Sequence, residues 1–159
     1  MRLLVAIPGV LLILIILWDA FETIILPRRV MRRIRLTTFF YRLTWSPFTF
    51  LANKIDSLKR REKYLGLFGP LSLLFLLGMW VTGIIVGYAM VQWAIHSTLN
   101  LPDNMVDFGI YLYLSGVTFF TVGYGDVAPV SAVGRAIEVI EAANGFALLA
   151  IVIGYLPVL

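Results

Sequence analysis

The chain has 159 residues, 60% of them hydrophobic and 14% charged, with no cysteine and a single histidine. A mean hydropathy of +0.92 marks an integral membrane protein; without cysteine, and with His96 alone, there is no basis for disulfides, thiolate or histidine metal clusters or a Ser-His pair, so an enzyme is not expected. The net charge of +4 is unevenly spread: residues 28–63 hold eleven of the thirteen Lys and Arg against Asp56 and Glu62, and the rest of the chain is net acidic.

The first apolar run, residues 3–18, extends to residue 26 if Asp19 and Glu22 are accommodated. That gives about 24 residues, or roughly 36 Å of helix, enough to span a bilayer. A signal peptide is the competing reading, but no small-x-small cleavage site follows and the apolar character continues past Asp19, so a retained N-terminal transmembrane helix over residues 1–27 is expected. Asp19 and Glu22 lie on one helix face near its basic end. Solvation in the headgroup region is the expectation for them, and pairing with Arg28, Arg29 or Arg32 the alternative.

From residue 28 to 64 arginines interleave with Phe39, Phe40, Tyr41, Trp45, Phe48 and Phe50, with a break at Ser46-Pro47. This pattern predicts a basic amphipathic segment on the cytoplasmic membrane surface, with Arg28, Arg29, Arg32, Arg33 and Arg35 on anionic lipid headgroups. A nucleic-acid partner is not expected of a basic block flanked by spans. The helical spacing of Arg28, Arg32 and Arg35 raises a voltage sensor, which is set aside because these arginines have no span of their own.

The second apolar run, residues 65–95, is about 30 residues or roughly 45 Å long and must tilt or protrude. A polar loop follows, in which His96 is read as solvated. Residues 108–120, about 13 in number, are too few to cross and predict a re-entrant helix. The last run, residues 132–159, predicts a third span. With the basic block cytoplasmic, the N-terminus of this multi-pass cell-membrane protein lies outside, and the loops with Asp103, Asp107 and Asp126 face the exterior. The run ends in apolar sequence at Leu159, which suggests that the natural protein continues.

Between the last two runs stands FFTVGYGDVAP. Irregular backbone is tolerated at membrane depth only where it is buried in protein or lines a water-filled path. A row of carbonyl oxygens facing a narrow axis replaces the hydration shell of a monovalent cation, and Gly123 and Gly125 allow the positive φ that turns successive oxygens the same way. One chain supplies one row, so a ring needs several copies.

The hexapeptide Thr121-Val122-Gly123-Tyr124-Gly125-Asp126 resembles the signature filter of potassium channels. The likeness continues through Pro129-Val130 and Gly134-Arg135 to Gly145 at the ungapped spacing of a two-helix pore, and covers residues 65–159. The resemblance implies an all-α membrane protein of three transmembrane helices, a re-entrant pore helix and a filter loop, assembled as a homotetramer. Carbonyls of Thr121, Val122, Gly123 and Tyr124, with Gly125 completing the loop, would bind the permeant potassium, Asp126 would sit at the outer mouth, and no other cofactor or metal is implied. Gly145 matches a gating hinge, Pro157 could add a second kink, and Ala142, Phe146, Leu149 and Ile153 share the face that would line the cavity.

Several positions depart from the family's pattern. Val117 stands where some relatives place a glutamate that pairs with the mouth aspartate, and Tyr113 is positioned to take Asp126 instead. Leu114 replaces a tryptophan that braces the filter tyrosine, and Phe120 replaces a small or polar residue. Glu138 lies near the edge of the cavity face and Glu141 turns away from it; hydrogen bonding to the back of the pore helix or filter is the expected role of both, and an intramembrane carboxylate is by default also a functional candidate. Two rival functions stay open: a non-conducting structural or regulatory membrane subunit, and a subunit of an ion-coupled transporter.

Overall fold

The computed structural model describes residues 3–24, 45, 49, 58–102 and 106–155. Arg28, Arg29, Arg32, Arg33 and Arg35 of the surface segment, and Pro157, lie outside the described residues. Among the described residues, four helices account for most of the chain: α1 Leu3–Ile24, α2 Leu58–Ala94, α3 Phe108–Phe119 and α4 Ala132–Tyr155. The stretches Leu4–Thr23, Leu65–Ala94 and Ala132–Gly154 are each long and apolar enough to cross a membrane. With 12 residues, α3 is about 18 Å long and falls well short of a bilayer core. The chain is thus an all-α, multi-span membrane protein.

Helix α2 starts at Leu58, upstream of its apolar run, because Leu58-Lys59-Arg60-Arg61-Glu62-Lys63 is composed of strong helix formers. It runs for 37 residues and carries Pro70 inside it. Proline removes one i to i−4 hydrogen bond, and one residue pair further on the Ser72 hydroxyl donates to Gly69 O at 2.8 Å.

The chain divides into two compact units. In the unit of residues 18–80, the Trp80 indole Nε1–H donates to Asp19 Oδ2 at 2.9 Å, and Trp45 meets Phe68 edge-on at 4.8 Å. Asp19 and Glu22 are buried, at 5% and 7% exposure. This differs from the expected headgroup solvation: a buried carboxylate needs a donor, and Asp19 takes one from an indole 61 positions away.

The second unit contains residues 1–17 and 81–159. Here Gly9, Ile13 and Ile16 form the buried row of α1 and face α2. A Cβ on Gly87 would lie 3.0 Å from Gly9 O and 2.6 Å from Ile13 Cγ1, and one on Gly83 would lie 2.3 Å from Ile16 Cδ1. The Gly83-x-x-x-Gly87 spacing therefore lets two backbones approach as closely as small-residue helix pairs do in membranes. Around the C-terminal end of α2, Ala89, Leu99, Tyr111 and Leu114 form a buried core, with Trp93, Val106, Ile110 and Val127 packed on it. This core fixes α3 against α2 and the loop that joins them.

Candidate functional site

Helix α3 begins where Asp107, in extended conformation, accepts the Ile110 N–H at 3.0 Å. Such a cap satisfies a backbone donor that a helix start leaves open. At the other end the orphan carbonyls bond the loop that follows: Gly116 O accepts from Phe120 N at 3.1 Å, Thr118 O from Thr121 N at 2.9 Å, and Val117 O from Val122 N at 2.9 Å. The helix dipole places partial negative charge at this end.

Beyond it, left-handed backbone recurs at every second residue, with φ of 55° at Thr121, 57° at Gly123 and 76° at Gly125. Glycine adopts this region at no steric cost, whereas a β-branched threonine there is an outlier. Val122 and Tyr124 are 51% and 71% exposed, so in the single chain this loop forms a surface.

Asp126 ends the loop. The Tyr113 hydroxyl donates to its Oδ2 at 2.8 Å, and its carbonyl accepts from Asn100 Nδ2 at 3.3 Å. The backbone then runs antiparallel to residues 98–100, with Asn100 N to Ala128 O at 3.0 Å, Val130 N to Thr98 O at 2.7 Å, and Leu99 opposite Pro129. Helix α4 is entered through Ser131, whose hydroxyl accepts the Gly134 N–H at 3.1 Å, while Arg135 Nε donates to Pro129 O at 3.1 Å.

The back of α3 is tied to α4. Thr118 Oγ1 donates to Glu138 Oε1 at 3.1 Å. Ser115 Oγ contacts both Glu141 Oε1 and Ile85 O, so one hydroxyl joins α3 to α2 and α4 together. Glu141 is fully buried. One turn further, Asn144 Nδ2 donates to the Tyr88 hydroxyl of α2.

Of the residues singled out in the sequence, Thr121 to Asp126 form one continuous loop, Tyr113 meets Asp126, and Glu138 and Glu141 meet α3. Val117 contributes its carbonyl to the loop, and Phe120 stands 49% exposed with its ring edge-on to Phe119 at 5.6 Å. Leu114 is buried in the core beside Tyr111 and Leu99. Ala142 is half-buried, and Phe146, Leu149 and Ile153 are exposed on one face of α4. Gly145 lies against the end of α3, where a Cβ would be 2.0 Å from Phe119 O.

Sequence reasoning did not find Asn100, Ser115 or the Trp80–Asp19 bond. The Gly83-x-x-x-Gly87 spacing could have announced the α1 contact; nothing local announces the others. Among the described residues, no group of three or more His, Cys, Asp or Glu is arranged to hold a metal ion.

A family model described as "Ion channel" matches residues 74–157. Protein LctB of Bacillus caldotenax and Protein LctB of Geobacillus stearothermophilus are each 32% identical over 90 residues, which covers 50% of this chain. The chain spans 66% of the length of these curated relatives. No solved structure matches it.

Proposed function

Because the chain belongs to the ion-channel family, through a match over residues 74–157, we propose that it transports ions and forms a potassium-selective pore from four copies. The observation that carries this reading is the alternation of positive φ at Thr121, Gly123 and Gly125, placed between a helix too short to span and a braced exit strand. Four such loops around an axis present stacked rings of carbonyl oxygens, with the Thr121 hydroxyl at the inner end. Each ring replaces the water around a potassium ion, and occupancy of several sites at once speeds exit. The C-terminus of α3 favours a cation below the filter.

The exposed apolar side chains of α4 support the assembly. Val139, Ile140, Phe146 and Ile153 are 69%, 56%, 69% and 72% exposed, and four copies cover part of this surface while Phe146, Leu149 and Ile153 line the cavity. The basic segment faces the cytoplasm on anionic lipid, which sets the N-terminus and the Asp126 mouth outside.

Flux from proteoliposomes of the purified protein tests the proposal. Potassium and rubidium are expected to pass and sodium to be excluded; absence of potassium flux at any voltage or lipid composition would sink the channel reading in favour of a non-conducting subunit. Gly123→Ala puts a Cβ on a residue at φ 57° and is expected to abolish potassium preference or conduction, at a strain of about 1–2 kcal/mol per copy. Unchanged selectivity in that variant would remove residues 121–125 from the role of filter.

A further inference from the structure

We infer that Asn100 is a positioning residue for the filter, its side-chain amide clamping the backbone at the outer mouth in place of the braces that positions 114 and 117 do not supply. The inference rests on the reading of residues 121–125 as the filter.

Its Nδ2 donates to Asp126 O at 3.3 Å and its Oδ1 accepts from Ala128 N at 2.8 Å. A turned-over amide would set two acceptors together at Asp126 and two donors at Ala128, so the pair of bonds fixes its orientation. Together they copy what a neighbouring strand's peptide group would offer. The main-chain pairing uses Val130 N and Ala128 O, and the side chain takes the next groups toward the filter, Ala128 N and Asp126 O. Asn100 thus extends the antiparallel contact past the point where its own backbone can follow.

The clamp has a rigid base. Leu99 is buried in the core with Tyr111 and Leu114, and the Tyr111 hydroxyl donates to Ser97 O at 2.9 Å. Asp126 is consequently gripped twice, by its carbonyl from the loop and by its carboxylate from Tyr113 of α3. A mouth held by protein bonds keeps its ring shape when no ion is bound. If the clamp is cut, the ion must supply the ordering, and by linkage the conducting state then requires more potassium.

Two variants and two readouts test this. In proteoliposomes, Asn100→Ala is expected to raise the potassium concentration for half-maximal flux by about three- to tenfold, the scale of one or two exposed hydrogen bonds. Asn100→Asp keeps the acceptor for Ala128 N but sets a carboxylate oxygen against Asp126 O; its flux is expected to be impaired at neutral pH and to recover on acidification, when the introduced carboxyl regains a proton to donate. Wild-type potassium demand in both variants, or equal impairment with no recovery in acid, would overturn the inference. Amide exchange at Ala128 needs no conduction and is expected to accelerate in Asn100→Ala; unchanged exchange overturns the clamp even if the protein proves not to conduct, whereas a failed filter reading shows as zero flux in the unaltered protein.

Discussion

Tyr113 holds the Asp126 carboxylate through one hydroxyl proton, which gives this end of the loop an alkaline limit. The hydrogen bond to Asp126 is the main cause that lifts the Tyr113 phenol above its ordinary 10.0, with some desolvation and the charges of Asp126 and Tyr124 adding to it. The native state therefore holds this proton more tightly than a free phenol does. The contribution of the bond is complete below pH 10, and it is lost as pH rises through the elevated value of the folded protein. Potassium flux is expected to show an alkaline decline that coincides with tyrosinate absorbance and is absent from Tyr113→Phe, which should behave at neutral pH as the wild type does in alkali. A decline that persists in Tyr113→Phe would assign it elsewhere. At this scale the sequence was readable where geometry follows from composition, as for the positive φ of Gly123 and Gly125. Thr121 was not, because β-branched residues disfavour that region and the loop's own bonds, such as Thr121 N to Thr118 O, impose it. Asn100 was hidden because its partners Asp126 and Ala128 are 26 and 28 positions away.

Among elements, the short helix α3 is the one whose position decides the loop's shape, and it is held from two sides. Ser115 bonds Ile85 O of α2, while on the α4 side Ser115 and Thr118 face Glu141 and Glu138 and the last carbonyl of α3 rests on Gly145. The resemblance to potassium channels marks Gly145 as a hinge; the fold adds a packing requirement to that reading. A Cβ at this position would meet Phe119 O at 2.0 Å and Phe119 C at 2.9 Å, backbone atoms that cannot swing aside. Gly145→Ala is expected to destabilise the protein by about 1–3 kcal/mol, as overpacking does, read as a lowered midpoint of thermal unfolding in detergent. Gly154→Ala on the same helix meets nothing within 4 Å and should be neutral or slightly stabilising. If the two variants unfold alike, close packing is not what keeps Gly145 bare. The helices themselves were legible from hydrophobic runs and lengths, since a run of 12 or 13 residues and one of 24 differ plainly. Which carboxylates would be buried was less so: Asp19 read as an interfacial acid because an indole donor on a distant helix leaves no local trace.

At the scale of the whole chain, helix α1 seats its isoleucines Ile13 and Ile16 on the glycines Gly87 and Gly83 of α2. The approach of Ile13 to Gly87 is close enough for a disulfide, whose Cβ atoms stand about 3.5–4.5 Å apart. The chain has no native cysteine, so a designed pair reports without background. Ile13→Cys with Gly87→Cys is expected to cross-link within one chain on mild oxidation, whereas Leu14→Cys with Gly87→Cys, Leu14 being 57% exposed, should not. Cross-linking by the second pair but not the first would mean that a different face of α1 meets α2. The membrane character was evident from composition, and the three spans from the lengths of the apolar runs. The side of α1 turned inward was not, since nearly every residue of that helix is apolar and a uniform helix carries no stripe to read.

The close crossing of α1 on α2 has a consequence for the surrounding lipid. Leu4, Ile7, Leu11 and Leu14 are all at least half exposed on the face away from Gly9, Ile13 and Ile16. This outer row is the apolar face that α1 offers to its surroundings, while the stretch of α2 around Gly83 and Gly87 touches protein. Glycine on α2 thus hands the apolar surface of that stretch to α1, which presents a row of leucine and isoleucine where bare backbone would otherwise stand.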